Sequence, residues 1–172
     1  MTLLVSAQRR RDKAVEDDPR CLRMIKRIDD ELLDGLLRQA DKAPRRRAHH
    51  NLHMSEDEVV LRLCIALKHG TYVRPHCHRV SGKWELLLVL RGSVDLLLYD
   101  EAGRLEARHA MSAVGGLTAV ELSAETWHSI ATTGEDAVLM EVKAGPFVPT
   151  APEEFAAWAP AEGAAGVAAF QE

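Results

Sequence analysis

The chain has 172 residues, 47% hydrophobic and 28% charged, with a formal net charge of -4 at pH 7. This length supports one domain with a substantial core and is short for two. The weak negative charge makes nucleic acid a poor partner, and no run approaches the roughly 18 apolar residues of a transmembrane helix. Three irregularly spaced cysteines argue against a disulfide framework, so we expect no membrane association and a reducing, cytoplasmic setting.

The N-terminal region divides into two parts. Residues 1–24 mix charged and apolar side chains without a sustained period, which predicts a flexible extension. From residue 25, apolar side chains recur at helical spacing as far as Asp41, ahead of Pro44. Asp29, Asp30 and Glu31 stand in the first turn, where they complement the helix dipole. We therefore predict an amphipathic helix over residues 25–41 that opens a domain of residues 25–160.

Residues 45–53 are the stretch richest in cationic and imidazole side chains. Two interpretations remain open. The stretch is either a solvated connection from the helix to the first strand or a set of guanidinium groups that hold an anionic substrate. In the second case Arg47 binds the substrate, and Asn51 and His53 turn toward a cavity. His49, His50 and His53 are also alternative metal ligands, although a later cluster already supplies four.

The next two segments are predicted strands. Residues 59–67 are β-branched and aliphatic, which indicates a buried strand. A second strand follows Gly70. If its alternation continues through Pro75, four side chains share one face and line a cavity: Tyr72, Arg74, His76 and His78.

Residues 85–90 and 94–99 predict a β-hairpin that turns at Gly92. Both faces of the first strand are apolar. Leu87 and Val89 would fill the interior, so the outer face needs cover, and this favours a homodimer.

The remaining elements complete an all-β domain. Further strands are predicted over residues 117–122, 126–130 and 137–142. Many short strands separated by turns are typical of a barrel or sandwich. A short helix over residues 152–158 would pack Phe155 and Trp158 on the sheets. The small residues of 161–172 predict a flexible tail.

Four side chains form a candidate metal site. His76 and His78, at i and i+2, point to one side of a strand, Glu85 can return on the neighbouring strand, and His128 is the fourth candidate. Buried His and Glu are uncommon in apolar strands unless they are paired or bind metal. Three imidazoles and one carboxylate suit a divalent transition metal (Zn, Fe, Mn, Ni or Co) and leave positions for water or substrate.

The spacing of Gly70, His76, His78, Glu85 and Gly92 resembles the first motif of the cupin superfamily, with a longer gap between His78 and Glu85. The second motif keeps Gly116 and His128, whereas Ser123 and Glu125 replace the usual Pro and Gly. Over about residues 25–160 the chain is similar to the WbuC-type cupin metalloproteins. The resemblance rests on residues 45–53, 72–76, 83–85, 126–128, 141–147 and 157–160.

This resemblance implies a double-stranded β-helix, or jelly-roll barrel, with an N-terminal helix and a short C-terminal helix. It also implies a metal on His76, His78, Glu85 and His128. The WbuC-type family is associated with bacterial surface-polysaccharide gene clusters, which implies a role in that metabolism.

Our first functional hypothesis is an enzyme that uses the metal as a Lewis acid on a sugar or polyol, as an isomerase or epimerase would. The expected partner is a small-molecule ligand or substrate that can carry an anionic group. The residues assigned to substrate binding are Arg74, Arg47 and Asn51, and those assigned to proton transfer are Tyr72, Lys83 and His53. Two alternatives remain open: a non-catalytic module that binds or senses a small ligand, and an Fe-dependent dioxygenase.

Overall fold

The computed structural model describes residues 25–79 and 81–171, so the predicted extension of residues 1–24 lies outside the described residues. The chain divides into two units, Met1–Leu32 and Leu33–Glu172. In the first unit, Arg27 pairs with Asp29 at 3.4 Å. Asp29 Oδ1 accepts a 3.1 Å hydrogen bond from the backbone N–H of Leu32, which is the N-cap contact that begins a helix.

The predicted N-terminal helix is present as α1 (Asp30–Lys42). Its buried residues in the second unit are Leu33, Leu36 and Ala40, at the spacing of one helical face. On the other side of the helix, Asp34 pairs with Arg91. The helix therefore has one apolar face and one charged face, as the sequence predicts.

Eight strands follow among the described residues: β1 (Arg47–Asn51), β2 (Val60–Leu67), β3 (Glu85–Arg91), β4 (Ser93–Tyr99), β5 (Leu105–Ser112), β6 (Ala119–Leu122), β7 (Trp127–Thr132) and β8 (Ala137–Ala144). Six of them coincide with predicted strands. β1 and β5 were not predicted, because their exposed, charged side chains lack an apolar alternation. The strand expected after Gly70 is absent as a regular element, and residues 71–79 are irregular except for a bridge at His76.

The strands form two antiparallel sheets, a five-stranded sheet β1-β2-β8-β3-β6 and a three-stranded sheet β5-β4-β7. The predicted hairpin of β3 with β4 is wrong, because β3 pairs with β6 and β8 and β4 pairs with β5 and β7. The chain crosses between the sheets at Gly92. There φ is +72°, and a Cβ would lie 2.4 Å from the carbonyl oxygen of Asp136. Only glycine fits this crossing without strain.

Buried apolar residues from both sheets form one core between them. The predicted interior residues Leu87 and Val89 are each 3% exposed. The core also contains Leu67, Val94, Leu96, Met111, Leu122, Ile130, Ala137 and Leu139. This arrangement is the jelly roll of the cupin fold, as predicted. No helix among the described residues has the length and apolar character that crossing a bilayer requires.

The C-terminal region contains less helix than predicted. A 3₁₀ turn covers Pro152–Glu154, and the chain is extended at Phe155. Within residues 161–171, a short helix, α2 (Val167–Gln171), carries Phe170 against the rings of Tyr72 and Trp158, at centroid distances of 5.9 and 6.1 Å. The flexibility of the tail and the proposed domain boundaries stay predictions.

Candidate metal centre

His76 and His78 lie in the irregular segment between β2 and β3. The backbone of His76 exchanges two hydrogen bonds with that of His128, of 3.0 and 2.9 Å. The backbone N–H of His78 donates to the carbonyl of Ala124 at 2.7 Å. Backbone bonds to the three-stranded sheet and its preceding turn therefore hold this segment.

Glu85 and His128 bring the two sheets to the same point. Glu85 is the first residue of β3 in the larger sheet, and His128 is the second residue of β7 in the smaller one. One ligating atom from each of His76, His78, Glu85 and His128 lies within 4.8 Å of the other three. The four side chains that the sequence predicted to converge therefore do so.

The orientations of two imidazoles are set by backbone carbonyls. His76 Nδ1 lies 3.0 Å from the carbonyl oxygen of Arg74, and His128 Nδ1 lies 2.9 Å from that of Thr126. Because a carbonyl oxygen only accepts, each Nδ1 carries the proton in the neutral ring. Each Nε2 is then left with a free lone pair, as a metal ligand requires.

Burial and neighbouring charge favour the metal-binding protonation states. Burial, with a smaller contribution from His128, lowers the pKa of His76 to about 3. Burial acts to raise the pKa of Glu85, but hydrogen bonds and charge from His128 and His78, in the states in which these rings carry a proton on Nε2, outweigh it and hold that pKa well below its usual range. The nearest contacts are 3.0 Å to His78 Nε2 and 3.4 Å to His128 Nε2. A neutral imidazole and an ionised carboxylate are the forms that bind a cation.

One buried atom in the cluster is not satisfied by a hydrogen bond. Among the described residues His78 Nε2 finds no hydrogen bond of acceptable geometry, although Glu85 is close by. Buried polar atoms without a protein partner are rare, and a position that binds an ion is one established cause. The donor set of three nitrogens and a carboxylate fits a divalent transition metal. The cluster could therefore bind a metal.

The cluster opens on a cavity of about 320 Å³ between the sheets. His76, Glu85 and His128 line this central cavity. Its other charged or titratable lining residues are Arg45, Arg47, His49, Arg74, Glu141 and Glu162. A site that combines a candidate metal-binding cluster with several guanidinium groups has the chemistry to bind a small anion.

Two of the three predicted substrate-binding residues, Arg47 and Arg74, line this central cavity. Arg74 Nη2 donates to the carbonyl of Ala156 at 2.7 Å, and its guanidinium carbon lies 5.5 Å from the ring centre of Phe155. Arg74 Nε is buried and has no hydrogen-bond partner within the part of the chain that the structure describes. Arg74 is thus held in place while one polar atom remains unsatisfied.

The other predicted site residues lie elsewhere. Asn51 and His53 line an adjoining cavity of about 330 Å³, which shares His49, Glu141 and Phe147 with the central one. His53 Nδ1 contacts the backbone of Arg62.

Tyr72 and Lys83 do not line the central cavity either. Tyr72 borders a third cavity, of about 450 Å³, and its hydroxyl donates to the carbonyl of Pro160 at 3.0 Å. Burial raises the pKa of Tyr72 to about 12. Lys83 Nζ donates to the carbonyl of Pro146. The expected alternation fails at Tyr72 because residues 71–79 are not a regular strand.

Sequence reasoning assigned no role to two residues beside the cluster, Glu141 and Lys143. Glu141 lines the central cavity, and Lys143 Nζ lies 2.6 Å from Glu141 Oε1 and 3.5 Å from Glu85 Oε1. Glu141 is 8% exposed in a strand whose other buried residues are apolar, which is the signal that singled out Glu85. His49, an alternative metal ligand in the sequence analysis, lies outside the four-residue cluster and lines the cavity from β1, an element that was not predicted.

The jelly roll and its interior His/Glu cluster define the class: this is a cupin-fold protein with a candidate metal site. A family model described as "Domain of unknown function (DUF6016)" matches residues 28–111. No curated protein matches the chain.

Several solved structures are similar to this chain. TT1209 from Thermus thermophilus is 22% identical with a TM-score of 0.50, over 69% of this chain and 97% of that one. The capsular polysaccharide assembling protein CapF from Staphylococcus aureus is 19% identical with a TM-score of 0.52, over 62% of this chain and 28% of CapF. KdgF from Halomonas sp. is 16% identical with a TM-score of 0.48, over 63% and 86%. At these identities the likeness to TT1209 and CapF concerns the fold alone.

Proposed function

We propose that this chain is a metal-dependent cupin enzyme that acts on a small, anionic sugar or polyol. One observation carries the proposal: the cavity that contains the His/Glu cluster is also lined by Arg45, Arg47 and Arg74. The resemblance to the WbuC-type family implies that the reaction would belong to surface-polysaccharide metabolism. The homodimer and the cytoplasmic setting stay predictions. Cys64 and Cys77 are both free and buried, which suits a reducing compartment.

The cluster residues His76, His78, Glu85 and His128 would hold the metal. A divalent metal there supplies Lewis acidity toward a carbonyl or hydroxyl oxygen of the substrate. The cavity also has apolar walls, which include Leu87 and Leu139. The guanidinium groups of Arg47 and Arg74 would orient the substrate through its anionic group.

His49 is the candidate for proton transfer. Desolvation and the nearby charges of Arg45 and Arg47 lower its pKa, so its ring is neutral at pH 7 and can accept a proton. It borders both the central cavity and the adjoining one. This assignment replaces the predicted roles of Tyr72 and Lys83, whose polar ends bond to backbone carbonyls away from the central cavity.

Elemental analysis of protein purified without a His-tag tests the proposal. We expect about one divalent metal per wild-type chain, a large loss of metal in His128→Ala, and no loss in His109→Ala, which changes an exposed histidine of β5. The same samples are then screened with sugars, sugar acids and sugar phosphates for thermal shift and for product. Absence of metal from metal-supplemented wild type would contradict the proposal. A ligand that raises Tm and is never consumed would show a binding module instead.

A further inference from the structure

We propose that Arg45 and Arg47 form a carboxylate-binding subsite of the central cavity, and that Glu162 fills this subsite in the free protein. The substrate would then carry a carboxylate that takes the place of Glu162. This inference rests on the proposed function and names its substrate class.

The contact has the form of a bound carboxylate. One oxygen of Glu162, Oε1, accepts from Arg47 Nη2, and the other, Oε2, lies 3.5 Å from Arg45 Nη1. Each carboxylate oxygen thus has its own guanidinium group. Charge-assisted bonds of this kind are the strong, orienting contacts by which arginines recognise carboxylates. Because the two guanidinium groups carry two positive charges and Glu162 one negative charge, the site keeps a net positive charge that attracts an incoming anion.

One arginine of the contact, Arg47, is fixed by the fold. Arg47 is the first residue of β1, opposite Leu67 of β2, and its side chain is 6% exposed. Its Nη1 donates to the carbonyl of Tyr72 at 2.8 Å. A buried and anchored guanidinium is preorganised, so an anion that binds it spends little free energy on ordering it.

The Glu162 side chain is held less firmly than that of Arg47. The Glu162 side chain is 29% exposed and lies in a turn segment. The next residue, Gly163, has φ of +77°, and no atom of the described residues lies within 4 Å of its Cβ position. Contacts on either side of the turn hold the chain independently: Tyr72 binds the carbonyl of Pro160, and Phe170 packs against Tyr72. The Glu162 side chain can therefore leave the arginines without detaching the C-terminal segment.

The subsite belongs to the same cavity as the cluster. Arg45, Arg47 and Glu162 line it together with His76, Glu85 and His128. A volume of about 320 Å³ suits a compact molecule with polar groups at both ends. A small hydroxy acid can place its carboxylate on the arginines while its hydroxyl end faces the cluster.

The test measures binding of three matched probes to the full chain: gluconate, sorbitol and sorbitol 6-phosphate. They share a polyol body and differ in carrying a carboxylate, no charge or a phosphate. Glu162→Gln keeps the side-chain shape and removes the competing charge. We expect it to lower the Kd of gluconate about tenfold and to leave sorbitol unchanged, because removing an occupant restores the competent state. Glu153→Gln, an exposed change in the same region, should alter neither Kd.

Arginine variants complete the test. Arg47→Met should weaken gluconate binding at least tenfold and remove the effect of Glu162→Gln. If Arg47→Met fails to fold, Arg45→Met takes its place, because the Arg45 side chain is 62% exposed. We expect Arg45→Met to weaken gluconate binding too, by a smaller factor than Arg47→Met. An unchanged or weaker gluconate Kd in Glu162→Gln would overturn the inference and leave the ion pair as an anchor of the C-terminal segment.

Two further results distinguish the carboxylate subsite from a phosphate site and from the proposed metal-dependent function. A gain for sorbitol 6-phosphate without a gain for gluconate would overturn the carboxylate class. Metal content is measured on the same samples. If the protein binds no metal but Glu162→Gln still lowers the gluconate Kd, the proposed function is contradicted and the subsite is supported. If the protein binds metal but Glu162→Gln does not lower the gluconate Kd, the subsite is contradicted and the proposed function is not.

Discussion

Glu85 and Lys143 occupy directly opposed positions on the neighbouring strands β3 and β8, and Lys143 Nζ lies 3.5 Å from Glu85 Oε1. The same ammonium lies 2.6 Å from Glu141 Oε1. Burial acts to lower the pKa of Lys143, but the two carboxylates outweigh it and raise that pKa. Lys143 therefore stays charged and offsets two carboxylates inside the jelly roll.

The first prediction concerns this charge. Lys143→Met leaves Glu85 and Glu141 without a counter-charge, so we expect the metal-free protein to lose about 2 kcal/mol of unfolding free energy. With saturating Zn²⁺ the loss should be smaller, because the cation restores positive charge beside Glu85. Urea unfolding with EDTA and with Zn²⁺ measures both values. Lys42→Met, at an exposed position, should cost about 0.5 kcal/mol or less. Equal losses with and without metal would contradict the coupling.

The second prediction concerns the crossing between the sheets. Gly92→Ala places a Cβ 2.4 Å from the Asp136 carbonyl oxygen at a positive φ, so strain and a steric clash add. Gly116→Ala has nearly the same φ, +69°, with no atom within 4 Å of its Cβ, and so isolates the backbone strain. We expect a loss of about 1 kcal/mol for Gly116→Ala and at least about 3 kcal/mol for Gly92→Ala. Chemical unfolding of both variants gives the comparison, and similar losses would count against the close approach.

The third prediction concerns Glu154, which is 2% exposed. Its Oε1 accepts from the backbone N–H of Ser81 at 3.1 Å, and its Oε2 accepts from that of Ala151 at 2.9 Å. Glu154→Gln turns an amide donor toward one of these N–H groups, which should cost about 2 kcal/mol.

Ser81 lies in the loop between His78 and Glu85, and its hydroxyl donates to the His78 carbonyl at 3.2 Å. A looser loop should therefore also weaken Zn²⁺ binding, by about tenfold, in a chelator competition assay. Glu153→Gln is the control. Unchanged zinc affinity in a destabilised Glu154→Gln would restrict Glu154 to a structural role.

The fourth prediction is a pH dependence at Asp136. Burial acts to raise the pKa of Asp136, but bonds from Lys68 Nζ at 2.6 Å and from the His69 N–H at 2.9 Å outweigh it and lower that pKa. Because the folded pKa lies below the unfolded value of about 3.9, the carboxylate stabilises the fold above that pH. This contribution is lost as the pH falls through the folded pKa.

We therefore expect Asp136→Asn to cost about 1 kcal/mol at pH 7, with the difference from wild type shrinking below about pH 4. Unfolding free energies measured from pH 7 down to pH 3 test this. Asp57→Asn, at an exposed position, should show no such trend. A difference that stays constant with pH would mean that shape, and not charge, carries the effect.

The secondary structure followed from the sequence where apolar side chains were periodic. The helix α1 and six strands have this property, because burial of one face determines both the pattern and the element. The strands β1 and β5 lack it. β1 is an edge strand of cationic and imidazole residues, and pairing with β2 orders it. The pairing of β3 was also predicted wrongly, because the sequence of an apolar strand does not show which neighbouring strands it pairs with.

The members of the cluster, His76, His78, Glu85 and His128, could be predicted from the sequence, because buried polar side chains are costly unless they are paired or bind an ion. The residues around the cluster could not be predicted, because long-range strand pairing and the path of the C-terminal segment place them there. Pairing of β8 with β3 placed Lys143 and Glu141 beside Glu85, and the return of the C-terminal segment brought Glu162 onto Arg47. Lys143 and Glu85 are separated by 58 positions along the chain, and Glu162 and Arg47 by 115, so local periodicity cannot report their contact.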